Sequence, residues 1–213
     1  MKIFEACVGN YNEAILAAER GANRLELCDN LMEGGTTPSY GTIRKIVEDI
    51  DIPVMVIIRP RGGNFTYTKE ELEIMKYDVK MCKELGVHGV VIGSVKDSKV
   101  DKEIIEELVN LAKPMTITFH MAFDEVEDKK IAVDEIIKLG IDRILTKGGC
   151  ENAMAGKECL KDLVKYADGR ISIMPGKGVN KENRDFLLEY TGAVEIHGTR
   201  AVSYTHLWWR EGG

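Results

Sequence analysis

Seven times along this chain a short apolar run ends in polar or glycine residues and gives way to a helical pattern. An eighth run, residues 193–201, ends the same way without a clear helix after it. The runs end in Glu5/Cys7, Glu26/Cys28, Arg59/Arg61, Gly93/Ser94, His120, Thr146/Lys147, Gly176–Lys177–Gly178 and Glu195/His197. Strands alternating with helices make βαβ units and a parallel sheet. Eight of them favour closure into a (β/α)8 TIM-type barrel over an open sheet. In such a barrel all eight strand ends meet at one rim, where binding and catalytic groups collect.

The pattern predicts strands over residues 2–8, 24–28, 53–60, 89–94, 115–120, 143–147, 170–174 and 194–197. Helices are expected over residues 11–20, 42–49, 69–86, 101–113, 128–140, 154–167 and 181–190. The unbroken apolar run at residues 54–58 suits a strand covered on both faces. Asp101 reads as an N-cap and Gly21 as a helix stop. Residues 29–41, with Gly34–Gly35 and Pro38, are too rich in turn formers for a regular element. An eighth helix is missing: residues 202–213 carry Trp208–Trp209 and Gly212–Gly213 and show no helical period. We read residues 1–201 as a single barrel domain and 202–213 as an irregular, non-native tail on a truncated barrel, the alternative being a natural arm over the gap. A barrel lacking that helix would bare an apolar flank and aggregate or self-associate.

With 213 residues and 44% hydrophobic content, the chain can bury one sizeable core. Its charge of −6 and the lack of a basic patch or aromatic stripe argue against nucleic acid as a partner. No run reaches the ~18 apolar residues of a membrane span. The first residues read as a strand rather than a signal peptide. An odd five cysteines then point to free thiols in a reducing cytoplasm.

Side chains two apart on a strand share a face. Glu5 with Cys7, Glu26 with Cys28, Arg59 with Arg61, Thr118 with His120, and Glu195 with His197 therefore project together. Buried carboxylates need partners, and we expect Glu5, Glu26 and Glu195 to find them in Arg59, Arg61, His120 and His197. The plainer alternative is a structural polar network tying strands together. Glu5, Glu26, His120 and Glu195 are candidate acid–base groups. Arg59, Arg61, Lys177, Gly176, Gly178 and His197 are candidates for holding a small anion, since loops after the seventh and eighth barrel strands often bind phosphate. Cys7 and Cys28, at the ends of neighbouring strands, suit a soft ion such as Cu(I), although each also fits as a small buried core residue. Cys82 and Cys159 read as helix packing residues, and Cys150 as a loop thiol. No organic cofactor is implied.

Longer strings add a resemblance. EACV at 5–8, RLELC at 24–28, EGGTTPS at 33–39, IRPRGGNFTYT at 58–68, TFHMAFD at 118–124, RILTKGG at 143–149, IMPGKGV at 173–179 and EIHGT at 195–199 resemble the CutC copper homeostasis family over nearly the whole chain. The resemblance implies a cytoplasmic barrel linked to copper tolerance, with copper-binding cysteines at Cys7 and Cys28 and assembly into dimers or larger homo-oligomers. Met121 departs from the arginine usual in TFHRAFD, which removes one cation near the rim. Two functions follow: a Cu(I)-binding homeostasis protein, or a barrel enzyme acting on a small anionic or sugar-like substrate.

Overall fold

The structure, a computed structural model, describes residues 2–199. Eight parallel strands run in the order β10-β1-β2-β3-β4-β7-β8-β9, and β9 lies against β10 to close the ring. They are β1 (Ile3–Val8), β2 (Arg24–Leu27), β3 (Val54–Ile57), β4 (Gly89–Ile92), β7 (Thr116–Phe119), β8 (Arg143–Thr146), β9 (Ser172–Pro175) and β10 (Glu195–Gly198). Seven helices surround the ring among the described residues: α1 (Tyr11–Glu19), α2 (Tyr40–Asp49), α3 (Lys69–Glu84), α4 (Lys102–Ala112), α5 (Lys129–Lys138), α6 (Lys157–Ala167) and α7 (Arg184–Thr191). This is the expected TIM-type barrel with seven of its helices. The place of an eighth helix and the expected irregular tail lie outside the described residues.

Five of the seven helices, α1 to α5, form where a capping side chain meets an apolar stripe. Asn10 accepts from the Glu13 amide, and Asp101 caps α4 by accepting from Ile104. Thr68 and Glu71 close a reciprocal capping box at the start of α3. Met75, Val79 and Cys82 on α3 and Ile105, Leu108, Val109 and Ala112 on α4 recur at helical spacing and are buried against the sheet. Thr68→Ala is expected to lower the unfolding free energy by about 1 kcal/mol, read as a fall in the urea midpoint with an unchanged m-value.

Two features were not foreseen. Residues 29–39 contain a 3-10 turn (Leu31–Glu33) and an Asp29–Thr36 bridge, and α2 begins two residues earlier than expected because Ser39 caps it. The fourth strand ends at Ile92, two residues before its expected end, and the chain then enters a hairpin of β5 (Val95–Lys96) and β6 (Lys99–Val100). Asp97 and Ser98 both have positive φ in its turn, the conformation that lets a two-residue loop match strand twist. The Val95 amide donates to the Phe65 carbonyl at 3.0 Å, which pins the loop after β3 across this hairpin.

The large apolar core lies between the ring and the helices. Inside the ring the content is different. Cys7, Cys28, Met55, Ile57 and Val91 make a small apolar cluster with Leu31. Much of the rest of the interior is ionisable, and that division places the site. No helix among the described residues is long and apolar enough to cross a membrane.

Candidate metal and acid–base centre in the barrel

Register decides which side chains meet inside. Glu5 pairs with Arg24 on β2 and with His197 on β10, and Cys7 pairs with Glu26. Because parity is preserved across a ladder, these residues all face inward, as do Arg143 and Thr118, which pair on β7 and β8. Glu5, Arg24, Glu26, Thr118, Arg143, Glu195 and His197 are all buried.

Two arginines that sequence reasoning did not single out neutralise two of the carboxylates. Arg24 donates through Nε to Glu5 and through Nη2 to Glu195. Arg143 donates to the same Glu195 oxygen at 3.2 Å and to the Thr118 hydroxyl at 3.2 Å. Glu5 also faces His197 Nδ1 at 2.8 Å, and His197 Nε2 lies 3.4 Å from Glu26. The expected partnership with His197 is present for Glu5 and Glu26. Arg59, Arg61 and His120 instead serve other groups. The sequence signal was available, since Arg24 shares strand parity with Glu26.

The charges can be counted. Arg24, Arg143 and His197 are cationic and face Glu5, Glu195, Glu26 and the Cys7 thiol. Neutrality therefore leaves one proton for Glu26 and Cys7 to share. Burial opposes ionisation of Glu5, but Arg24 and His197 prevail and hold its carboxyl down to about 2. Burial dominates at Glu26 and pushes it up to about 8 despite His197. The hydrogen bond from Cys28 outweighs burial and brings Cys7 down to about 5, with help from His197. Burial works against a charged His197 ring, yet Glu26, Cys7 and Glu5 together raise its pKa well above the usual value.

The two sulfurs stand 3.9 Å apart. Donor atoms of Cys7, Glu26 and His197 all lie within 4.8 Å of one another, a spacing that can hold a metal ion. With metal–sulfur bonds of about 2.3 Å, thiolates on a linear ion would stand about 4.6 Å apart. The observed pair is closer than that, at the separation of a hydrogen bond between the two sulfurs. The donor set of two thiols and an imidazole fits a soft ion.

The remaining expected residues lie elsewhere. Arg59 is buried and donates to the carbonyls of Glu33, Gly35 and Gly63 at 2.7–2.8 Å, tying the loops after β2 and β3 together. Arg61 pairs with Glu71 at 2.5 Å and braces the Asn64 and Thr66 carbonyls. His120 Nδ1 accepts from the Ala122 amide at 3.1 Å, and burial together with Arg59 holds the ring neutral, with its pKa lowered to about 3. The Gly176 amide is spent on the Thr146 carbonyl, a Cβ there would crowd Leu145 and His197, and Lys177 is exposed at positive φ. Asp124, not among the candidate site residues, accepts from Thr146, Lys147 and Gly149 and shapes the loop after β8. Gly93 has room only for hydrogen, because a Cβ would overlap the His120 ring. Gly93→Ala is expected to cost about 1–3 kcal/mol in urea unfolding and to break the Ala122–His120 hydrogen bond.

Comparison with known proteins agrees with this architecture. A model of the CutC family matches residues 2–202. A mouse relative named copper homeostasis protein cutC homolog is 43% identical over 196 residues, covering 92% of this chain and 72% of its own length. A CutC family protein of Parabacteroides distasonis is 44% identical over 214 residues, covering 98% and 87%. The crystal structure of a CutC protein from Streptococcus agalactiae superposes with a TM-score of 0.90 at 39% identity, covering 95% of this chain and 100% of that one. A deoxyribose phosphate aldolase from Aeropyrum pernix shares the fold alone, with a TM-score of 0.71 at 15% identity, covering 93% of this chain and 86% of that one. The chain belongs to the CutC family, whose mouse and human relatives are named copper homeostasis protein cutC homologs.

Proposed function

We propose that the protein binds Cu(I) as cargo inside the barrel mouth, through the thiolates of Cys7 and Cys28 with His197 Nε2 as third donor. The observation that carries this is the 3.9 Å separation of two buried sulfurs beside the Cys7, Glu26 and His197 donor set. Thiolate is the ligating form, and Cys7 reaches it near pH 5. Glu5 orients His197 by holding Nδ1, the usual way an imidazole is presented to a metal. The five free cysteines are in keeping with a reducing cytoplasm as the working compartment. Anaerobic titration of reduced protein with Cu(I) against a competing chelator tests the assignment. Tight one-to-one binding that disappears in Cys7→Ser/Cys28→Ser is expected, and affinity that survives the double change refutes it.

A second function, an enzyme acting on a small anionic or sugar-like substrate, is favoured by one observation. Glu26 titrates near pH 8 beside His197, as a general acid or base working near neutrality requires. Glu5 and Glu195, locked by arginine, suit positioning better than proton transfer. On this view Arg59, Arg61 and Lys177 would meet the anion and His120 the substrate. A metabolite panel that leaves the melting temperature unmoved would count against it.

A further inference from the structure

Three buried polar atoms on the β3–β7 side of the mouth have no hydrogen-bond partner in the protein: Arg59 Nε, the Tyr67 hydroxyl and His120 Nε2. Their side chains belong to residues only 3%, 8% and 4% exposed. Such groups are costly unless something meets them.

All three can donate. A guanidinium Nε carries a hydrogen at any accessible pH, and a phenol carries one below its high pKa. Neutral His120 accepts at Nδ1 from the Ala122 amide, so its proton resides on Nε2. The three groups also cluster. The Phe65 ring lies 4.9 Å from the Arg59 guanidinium carbon and 4.8 Å from the His120 ring. Burial raises the Tyr67 phenol to about 12 against the charges of Arg59 and Arg61 and a weak hydrogen-bonding pull from Arg59, which places Tyr67 beside that guanidinium.

The charge is unbalanced as well. Arg59 spends its terminal nitrogens on three backbone carbonyls, and among the described residues no carboxylate forms a salt bridge with it. A buried cation without a carboxylate partner, beside a phenol and an imidazole N–H that can both donate, is complementary to an oxyanion. One net positive charge and a flat aromatic wall suit a monoanion rather than a dianion. The loop that closes over these groups is fastened by Ser94 Oγ donating to the Phe65 carbonyl at 3.1 Å and by the Thr66 hydroxyl donating to the Val95 carbonyl at 2.7 Å.

We propose that Arg59, Tyr67 and His120 form a binding site for the carboxylate of a small organic acid, separate from the thiol pair. The site shares Arg59 with the enzyme view above and names the group that Arg59 would hold. Binding is measured without turnover, so the site stands or falls independently of catalysis and of copper.

The test uses the metal-free full chain labelled with 15N. Acetate and inorganic phosphate are titrated separately at constant ionic strength, with chloride as the control salt, while the imidazole nitrogens of His120 are followed by NMR. Acetate is expected to shift the Nε2 signal saturably and to raise the melting temperature, with phosphate weaker. Arg59→Lys alters the loop ties and risks misfolding, so the deciding variant is Tyr67→Phe, which removes only a hydroxyl. It is expected to weaken acetate about ten- to a hundredfold, the worth of one hydrogen bond to a charged group. No saturable shift with acetate would mean that buried water serves these donors, and would overturn the site. An acetate affinity unchanged in Tyr67→Phe, or saturation by phosphate alone, would overturn it too.

Discussion

Arg24→Met is expected to lower the stability of the fold by about 3–5 kcal/mol, the usual result of stripping one partner from a buried ion pair. The loss should be large because Arg24 neutralises carboxylates on two other strands of the ring, Glu5 on the adjacent β1 and Glu195 one strand further on, on β10. Their fates differ. Glu195 keeps Arg143 at 3.2 Å, whereas Glu5 is left with His197 alone. Adding Glu5→Gln to Arg24→Met should therefore recover a good part of the loss, and the departure from additivity measures the coupling. The pH profile gives a second readout. A carboxyl held down to about 2 in the folded state contributes stability that is fully present above its ordinary unfolded range. That stability is lost as pH falls from there towards 2. Urea unfolding of the parent protein should thus weaken steeply through this acid window. The slope should flatten in Arg24→Met, where Glu5 has lost its strongest ally. An Arg24→Met protein with parental stability would show that the network is not what holds these strands in register.

Strand parity made much of this interior legible. Knowing only that residues two apart share a face, one can place Glu5, Cys7, Glu26, Cys28, Glu195 and His197 on the inside of three adjoining strands, which is where they lie. The partners of the carboxylates were harder to see. Arg24 and Arg143 open their strands and so read as edge residues. Their long side chains reach inward to Glu195 on another strand, which a one-dimensional pattern does not show. Arg59 and Arg61 misled for the opposite reason. They follow β3 closely in sequence, but the chain has already turned into a loop whose carbonyls take up most of their donors. The β5–β6 hairpin escaped notice because each arm is two residues long, too short for any period to register. Its Asp97–Ser98 turn also lacks the glycine that usually marks such loops.

Glu5→Gln should weaken Cu(I) binding by about 10–100-fold, the ordinary effect of changing a group that orients a ligating histidine, while Cys7→Ser/Cys28→Ser should do more. The order of these losses tests the three-donor site rather than copper binding in general. Glu5 is not a donor to the ion; it bears on the site by facing His197 Nδ1 at 2.8 Å and, more weakly, by its charge near Cys28. If copper were held by the cysteines alone, Glu5→Gln would leave the affinity nearly unchanged. Proton release separates the two cases again, because bound thiolates and a bound imidazole must both be deprotonated. Cys7 has already lost its proton at neutral pH. Cys28 keeps its own, since the hydrogen bond to Cys7 and burial push it well above the usual thiol range. His197 also holds its extra proton. Copper binding near pH 7 should therefore release about two protons when His197 ligates and about one when only the thiols do. Calorimetry in buffers of different ionisation enthalpy reads that number directly. A count near one, together with unchanged affinity in Glu5→Gln, would remove His197 from the copper site and leave it, with Glu26, to the proton chemistry of an enzyme.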